Sequence, residues 1–307
     1  MCVVLLALLP LGVPKRKAAD EHLIRGNAFA SQNLWNQAIG EYQQALRLEP
    51  DYASAHYDLA NALAAQGEMD AAITEYHQAL RLKSDDAEFH NNLALALAKE
   101  GRSDEALAEY REAIRLKPHY GPCHYNLANL LAAKGDLNEA IAQYRQALQA
   151  MPNDVETLNN LGNALKATDD FDGAIADYRK AILLKPQYAA AHFNLGNALT
   201  AEGKLGQAIL EYRLTLLLKP RDVAAQCNLA YAFAQNGDLS RAVFEYRWAV
   251  RLHPNNAGAR YNLGRVLEKQ GHLKAALEQY RVASALASDN PKYRADYQRL
   301  AQTAKKE

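Results

Sequence analysis

The stretch GPCHYNLANLLAAKGDLNEAIAQYRQALQAMPND, residues 121–154, holds the reading of the whole chain. In its first half His124, Leu127, Ala128 and Leu131 recur at helical spacing, which places them on one face of a helix. Gly135 then interrupts, and glycine suits the positive-φ residue that ends a helix. A second stripe, Ala140, Ile141, Tyr144 and Ala147, stops before Pro152, which cannot continue a helix. The segment reads as two helices joined by a tight turn.

This unit recurs. Tyr42, Tyr76, Tyr110, Tyr144, Tyr178, Tyr212, Tyr246 and Tyr280 stand 34 residues apart throughout. An alanine lies four residues before each, and an alanine, or Thr215 once, three residues after. Proline closes six of the units, from Pro50 to Pro254, and Ser84 and Ser288 fill the other two places. Eight units cover 19–290, as 19–52, 53–86, 87–120, 121–154, 155–188, 189–222, 223–256 and 257–290. Each residue below is placed by its position, 1 to 34, within its unit. Position 8 is always Gly or Ala, which lets the paired helices approach closely, and the position-24 tyrosine is expected to fill the space between one unit and its neighbour. Position 15 is Gly except at Asn33 and Asp169, two residue types that tolerate the left-handed conformation.

The pattern Leu-(Gly/Ala)-x-x-(Leu/Phe), then Gly, then Ala-x-x-x-Tyr-x-x-Ala, then Pro, resembles the tetratricopeptide repeat family over about nine-tenths of the chain. The resemblance implies an all-α fold: a right-handed α-solenoid superhelix of eight helix-turn-helix repeats. After the last unit, Asn290 and Pro291 read as a helix start. Residues 291–307 are then a capping helix and tail, with Ala295 and Leu300 toward the eighth repeat and Arg294, Asp296, Gln298 and Arg299 toward water.

Residues 1–18 form an apolar and basic N-terminal segment. Its apolar run, Val3 to Val13, is broken by Pro10 and followed by Lys15, Arg16 and Lys17. As a helix it would span roughly 16 Å, about half of a bilayer's hydrocarbon core. It cannot cross a membrane by itself, and its basic cluster lies on the wrong side for a secretory signal. A frayed or docked terminus, a signal lacking its upstream part and a weak anchor all remain open. A cytoplasmic location is expected, or export or membrane association if the segment belongs to a signal.

Composition narrows the function. Lys and Arg total 35, as do Asp and Glu, so the formal net charge is +0. Nucleic acid as a partner is disfavoured, because phosphate binding needs surplus cations, and the same balance gives no support to an anionic membrane surface, so no strong membrane signal is read. Three dispersed cysteines imply no disulfide framework. Phosphate-binding glycine loops, HExxH, CxxC and the Gly-x-Ser-x-Gly elbow are missing from the sequence. His22, His56, His90, His124 and His192 recur at position 4, but successive repeats lie about 10 Å apart, too far to share one metal ion. A packing role is expected for them. The chain is read as non-enzymatic and monomeric, with no cofactor and no metal.

One column is not explained by apolar packing. Asn92, Asn126, Asn160, Asn194, Asn228 and Asn262 occupy position 6 of six consecutive repeats, preceded by Asp58. Asparagine in mid-helix costs roughly 0.5 kcal/mol against alanine. Asn27, Asn61, Asn129, Asn163 and Asn197 stand at position 9, and positions 6, 9 and 13 share a helical face. Positions 4, 7, 8 and 11 make the packed face. The column resembles the repeat region of the O-linked N-acetylglucosamine transferases, which implies a groove gripping the backbone of an extended peptide. A carboxamide can serve both a peptide N–H and a C=O. A purely structural ladder between neighbouring helices is the alternative. Tyr57, Tyr125, Phe193 and Tyr261 at position 5 could add apolar pockets along the groove, or record duplication of a two-repeat unit. No Lys at position 5 and no Arg at position 6 argues against the variant that clamps a C-terminal carboxylate. Three functions follow: a scaffold binding an extended segment of a protein partner; the recognition arm of a transferase whose catalytic part is absent or separate; and an end-to-end assembly module, which the polar last helix argues against.

Overall fold

The computed structural model describes residues 15–303, and the apolar run at 3–13 lies outside them. The described residues form seventeen α-helices with no strand. They divide into two compact units, one up to residue 152 and one from residue 153.

The N-terminal unit holds four helix pairs: α1 Lys15–Ala30 with α2 Trp35–Leu48, α3 Ala53–Gln66 with α4 Met69–Leu82, α5 Ala87–Lys99 with α6 Ser103–Leu116, and α7 Gly121–Lys134 with α8 Leu137–Ala150. The C-terminal unit holds α9 Val155–Ala167 with α10 Phe171–Leu184, α11 Ala189–Ala201 with α12 Leu205–Leu218, α13 Val223–Gln235 with α14 Leu239–Leu252, and α15 Ala257–Lys269 with α16 Leu273–Leu286. A last helix, α17 Pro291–Thr303, follows α16. Helix α1 already includes Lys15, one turn ahead of the expected repeat start at Ala19.

The turn inside each pair is built as its sequence requires. Gly67 has φ +86°, its N–H bonds Ala64 O, and Glu68 N–H returns to Leu63 O at 3.0 Å, closing the C-terminal turn of α3. Asn33 and Asp169 take the same place at φ 59° and 62°. From α3 to α13 the starts of the first helices alternate. Asp86, Asp154 and Asp222 cap α5, α9 and α13 with side-chain bonds to the first turn, whereas Tyr52, Tyr120 and Tyr188 make no such bond.

The position-24 tyrosines are wedged between the two helices of their own repeats, and they also border the next repeat, as Tyr212 does at Asn228. Tyr178 is fully buried, and a Cβ added to Gly162 would lie 2.6 Å from its ring. Position 8 is therefore small because a ring lies on it. The buried face of the first helices is also wider than positions 4, 7, 8 and 11. Ala55, Tyr57 and Ala62 of α3, and Thr157, Asn159 and Ala164 of α9, are buried too, adding positions 3, 5 and 10. Within a unit a first helix packs against its own second helix and against the second helix of the preceding repeat, as α3 does with α4 and α2. One stripe cannot serve both.

Helix α17 repeats the logic of a first helix, but in another register than expected. Leu300 is buried, Ala295 is exposed, and the packed stripe is Tyr293, Asp296, Tyr297 and Leu300. Those residues follow the 3–4 spacing of one helical face, on which Ala295 does not lie. Tyr293 stacks on Tyr261 with centroids 4.4 Å apart, and Tyr261 Oη donates to Asp296 Oδ2 at 2.6 Å. Arg299 bridges Glu268 in bidentate fashion at 2.7 and 3.0 Å. Asp296 and Arg299, expected to face water, thus hold the cap in place.

Candidate functional site

The asparagines are partnered, and the partners recur. In the second repeat, Tyr76 Oη donates to Asn61 Oδ1 at 2.6 Å, and Asn92 of the next repeat donates to the same oxygen at 3.2 Å. In the sixth, Tyr212 Oη and Asn228 Nδ2 meet Asn197 Oδ1 at 2.9 and 2.8 Å. Position 24, position 9 and position 6 of the following repeat therefore form one polar node. Tyr144 with Asn129 and Tyr178 with Asn163 supply the intrarepeat half of it, both at 2.7 Å. The tyrosine explains why position 9 is polar: a buried hydroxyl without a partner is costly.

A second set of acceptors escaped the sequence reading. Asn91 and Asn159 at position 5 are buried, and their Oδ1 atoms accept from Asn126 Nδ2 at 3.1 Å and Asn194 Nδ2 at 2.9 Å. Asn91 Nδ2 in turn donates to Asn92 Oδ1 at 2.9 Å, and Asn92 Nδ2 to Tyr57 Oη at 2.6 Å. An amide network thus threads the second, third and fourth repeats. Their alternation with Tyr57 and Tyr125 was the one available signal. The position-6 asparagines are half-buried, Asn160 and Asn262 included.

The position-5 aromatics divide. Tyr57 and Tyr261 are buried, stacked on Phe89 at 4.3 Å and on Tyr293, so they fasten one first helix to the next and offer no pocket. Tyr125 and Phe193 are half-buried beside Tyr144 and Tyr212. On the polar face of α3 and α5 a recess of about 210 Å³ is lined by Asn61, Ala64, Met69, Tyr76, Asn92 and Leu95. The corresponding space between α13 and α15 shrinks to about 20 Å³, where Tyr231 and Arg265 stand at position 9 in place of Asn61 and Leu95.

The position-4 histidines bind specifically rather than merely pack. His56 Nδ1 meets Glu75 Oε2 at 2.6 Å and its Nε2 meets Pro50 O at 2.9 Å; His90 meets Glu109 and Ser84 O in the same way. His192 lies between Glu211 and Pro186 O. Each ring thereby ties its second helix to the turn that enters its repeat. At His56 and His90 the two acceptors on one ring favour the doubly protonated form. The Glu75 bond raises the pKa of His56; at His90 burial lowers it, and the Glu109 and Ser84 bonds outweigh that. Burial also raises Asp58, the acid in the asparagine column, to about 6.

Both effects have the same sign in stability. A histidine with a raised folded pKa contributes fully below its unfolded value and loses that contribution as pH rises through the folded one. Asp58 holds its proton in the native state when the unfolded chain has already released it, so its penalty grows between about pH 4 and 6. The urea midpoint of the N-terminal unit should fall between about pH 5 and pH 8.5. Asp58→Asn should raise it at the higher pH more than at the lower, and a profile left unchanged by Asp58→Asn and His56→Gln would remove these groups as its source.

Burial pushes the Cys123 thiol up to about 12 and the Cys227 thiol to about 11. Neither is poised for nucleophilic chemistry. No three His, Cys, Asp or Glu side chains gather as metal ligands among the described residues, and no described helix is long and apolar enough to cross a membrane.

Family models of tetratricopeptide repeats match residues 26–67, 60–101, 87–120, 128–169, 162–201 and 227–291. Among solved structures the chain is similar to YrrB, described as a TPR protein with an unusual peptide-binding site, at 23% identity over 60% of this chain and 95% of that one, with a TM-score of 0.55. It is also similar to the C-terminal part of a repeat protein of Cytophaga hutchinsonii, at 16% identity over 78% and 99% of the two chains, TM-score 0.66. PilF of Pseudomonas aeruginosa shares 19% over 68% and 95%, TM-score 0.57. No curated protein matches. At these identities the structures speak for the fold, and the repeat models span most of the sequence: the chain belongs to the tetratricopeptide repeat family of protein–protein interaction scaffolds.

Proposed function

We propose that this chain is a non-enzymatic scaffold that binds an extended segment of a protein partner along the polar face of its first helices. The observation that carries the reading is the column of half-buried, pre-oriented carboxamides at position 6. Asn126, Asn194 and Asn228 each spend one N–H on the preceding repeat. A carboxamide has two N–H donors and two acceptor lone pairs, so fixing one N–H aims the remaining capacity without exhausting it. A ligand then finds amides whose orientation cost is already met. Backbone recognition of this kind is what the resemblance of the column to the transferase repeat regions implies. With roughly 0.5–1.5 kcal/mol net per hydrogen bond, affinity should be micromolar or weaker on the order of magnitude. The 210 Å³ recess beside Asn61 and Asn92 is a place for one side chain of the ligand.

The test uses an extended peptide selected from a random-sequence display library against the full chain. The variant Asn126→Ala/Asn194→Ala/Asn228→Ala should lose at least about tenfold in affinity, measured where the variant is still folded. It should also lose about 1 kcal/mol of stability per site, since each amide bonds its neighbour. N-methylation of the peptide backbone should abolish binding, while side-chain changes should be tolerated. Lower stability with unchanged affinity would reduce the column to a structural device.

A further inference from the structure

The second helices of the fifth, sixth and seventh repeats expose large apolar side chains that their counterparts lack. Leu210, Leu214 and Leu217 form one stripe on α12, at 58%, 40% and 75% exposure. Phe244 and Trp248 occupy the same positions on α14, and Leu183 joins them from α10. In the N-terminal unit, positions 26 and 29 hold Gln44, Gln78, Glu112 and Gln146, then Arg47, Arg81, Arg115 and Gln149. In α10, α12 and α14 four of the six corresponding places are apolar, Leu183, Leu214, Leu217 and Trp248, and the other two are Lys180 and Arg251. Together the exposed side chains present on the order of 700 Å², more than the largest patch on a typical monomer and close to one side of a stable interface.

The patch is also cationic, in a chain whose formal net charge is +0. Arg179, Arg213 and Arg247 recur at position 25 between the apolar stripes, and Lys180 and Arg251 flank them, all exposed. Arg179 of α10 reaches Gln207 of α12, the next second helix, at 3.1 Å, which joins the exposed faces of those two helices. Asp172 is the single exposed carboxylate of the three helices. Glu211 and Glu245 turn inward to His192 and Gln226.

We propose that the outer face of α10, α12 and α14 docks on the surface of an anionic lipid bilayer. Leucine, phenylalanine and tryptophan enter the boundary between headgroups and acyl chains, and the arginine row meets lipid phosphates. Two-fold pairing with a second copy would set the same patch against itself and bring arginine row against arginine row. Through this face the contact is peripheral, because its side chains stand on the exposed side of packed helices.

The full chain should co-sediment with vesicles of equal parts phosphatidylglycerol and phosphatidylcholine at least about tenfold more than with phosphatidylcholine alone, and less so as salt screens the arginines. Trp248, the only tryptophan left after Trp35→Phe, should shift its emission to the blue on binding. The variant Leu210→Glu/Leu217→Glu/Phe244→Glu alters exposed positions only, so it should fold and lose at least about tenfold in binding. A chain lacking residues 2–14 should still bind. The proposal is overturned if the anionic vesicles are not bound, if the variant binds them as well as the wild type, or if deleting residues 2–14 alone abolishes binding. It is also overturned if the patch variant converts a dimer to a monomer while vesicles remain unbound, which would assign the face to a second copy.

Discussion

Replacing Tyr178 by alanine should lower the stability of the C-terminal unit by about 3–5 kcal/mol, as for other large aromatic-to-alanine changes in well-packed cores. The ring is fully buried and lies directly against Gly162, so its removal leaves a cavity at the closest approach of α9 and α10. Its hydroxyl donates to Asn163 Oδ1 at 2.7 Å. Tyr178→Phe isolates that bond and should cost only about 1 kcal/mol. Both are read from urea unfolding followed by far-ultraviolet circular dichroism. Because each repeat contacts only its neighbours, the loss should concentrate in the repeats flanking α10 when hydrogen exchange is resolved along the chain. Equal losses for Phe and Ala would mean that the polar node, and not ring packing, dominates the site. A uniform loss of protection over every helix would contradict the local character of the contacts.

Removing residues 291–307 should have the second largest effect. The deletion strips Tyr261 of its stacking partner and of the Asp296 acceptor, leaves Glu268 without Arg299, and removes Leu300 from its buried place. Leu300→Ala alone should cost about 2–5 kcal/mol. The truncated chain should bind a hydrophobic dye, lose protection first in α15 and α16, and aggregate at concentrations where the whole chain does not. Asp296→Ala separates the polar part, since it leaves the Tyr261 hydroxyl without its acceptor. A truncated chain with unchanged melting temperature and solubility would show that α17 is an appendage rather than a cap.

The fold was legible because a 34-residue period repeats every local decision eight times. The apolar spacing, the position-15 residues and the small residue at position 8 concern contacts within a pair of helices, and such contacts obey helical geometry that can be counted along a chain. Asn33 and Asp169 adopt the left-handed turn expected of them for the same reason.

What the sequence by itself determined about this protein is its all-helical class, the pairing of helices and the presence of a polar column on the first helices. Which groups those amides meet was decided only by tertiary structure. Positions 5, 9 and 24 join position 6 of the following repeat because the packing of neighbouring helices brings them together, and no spacing within one helix encodes that meeting. The same holds at the end of the chain, where Ala295 and Tyr293 are both plausible core residues and only docking against Tyr261 selects the tyrosine. It holds for the histidines as well: a column of imidazoles can be counted, but the Glu75 carboxylate and the Pro50 carbonyl that hold His56 come from two different elements, and folding alone sets them within one hydrogen bond of the ring.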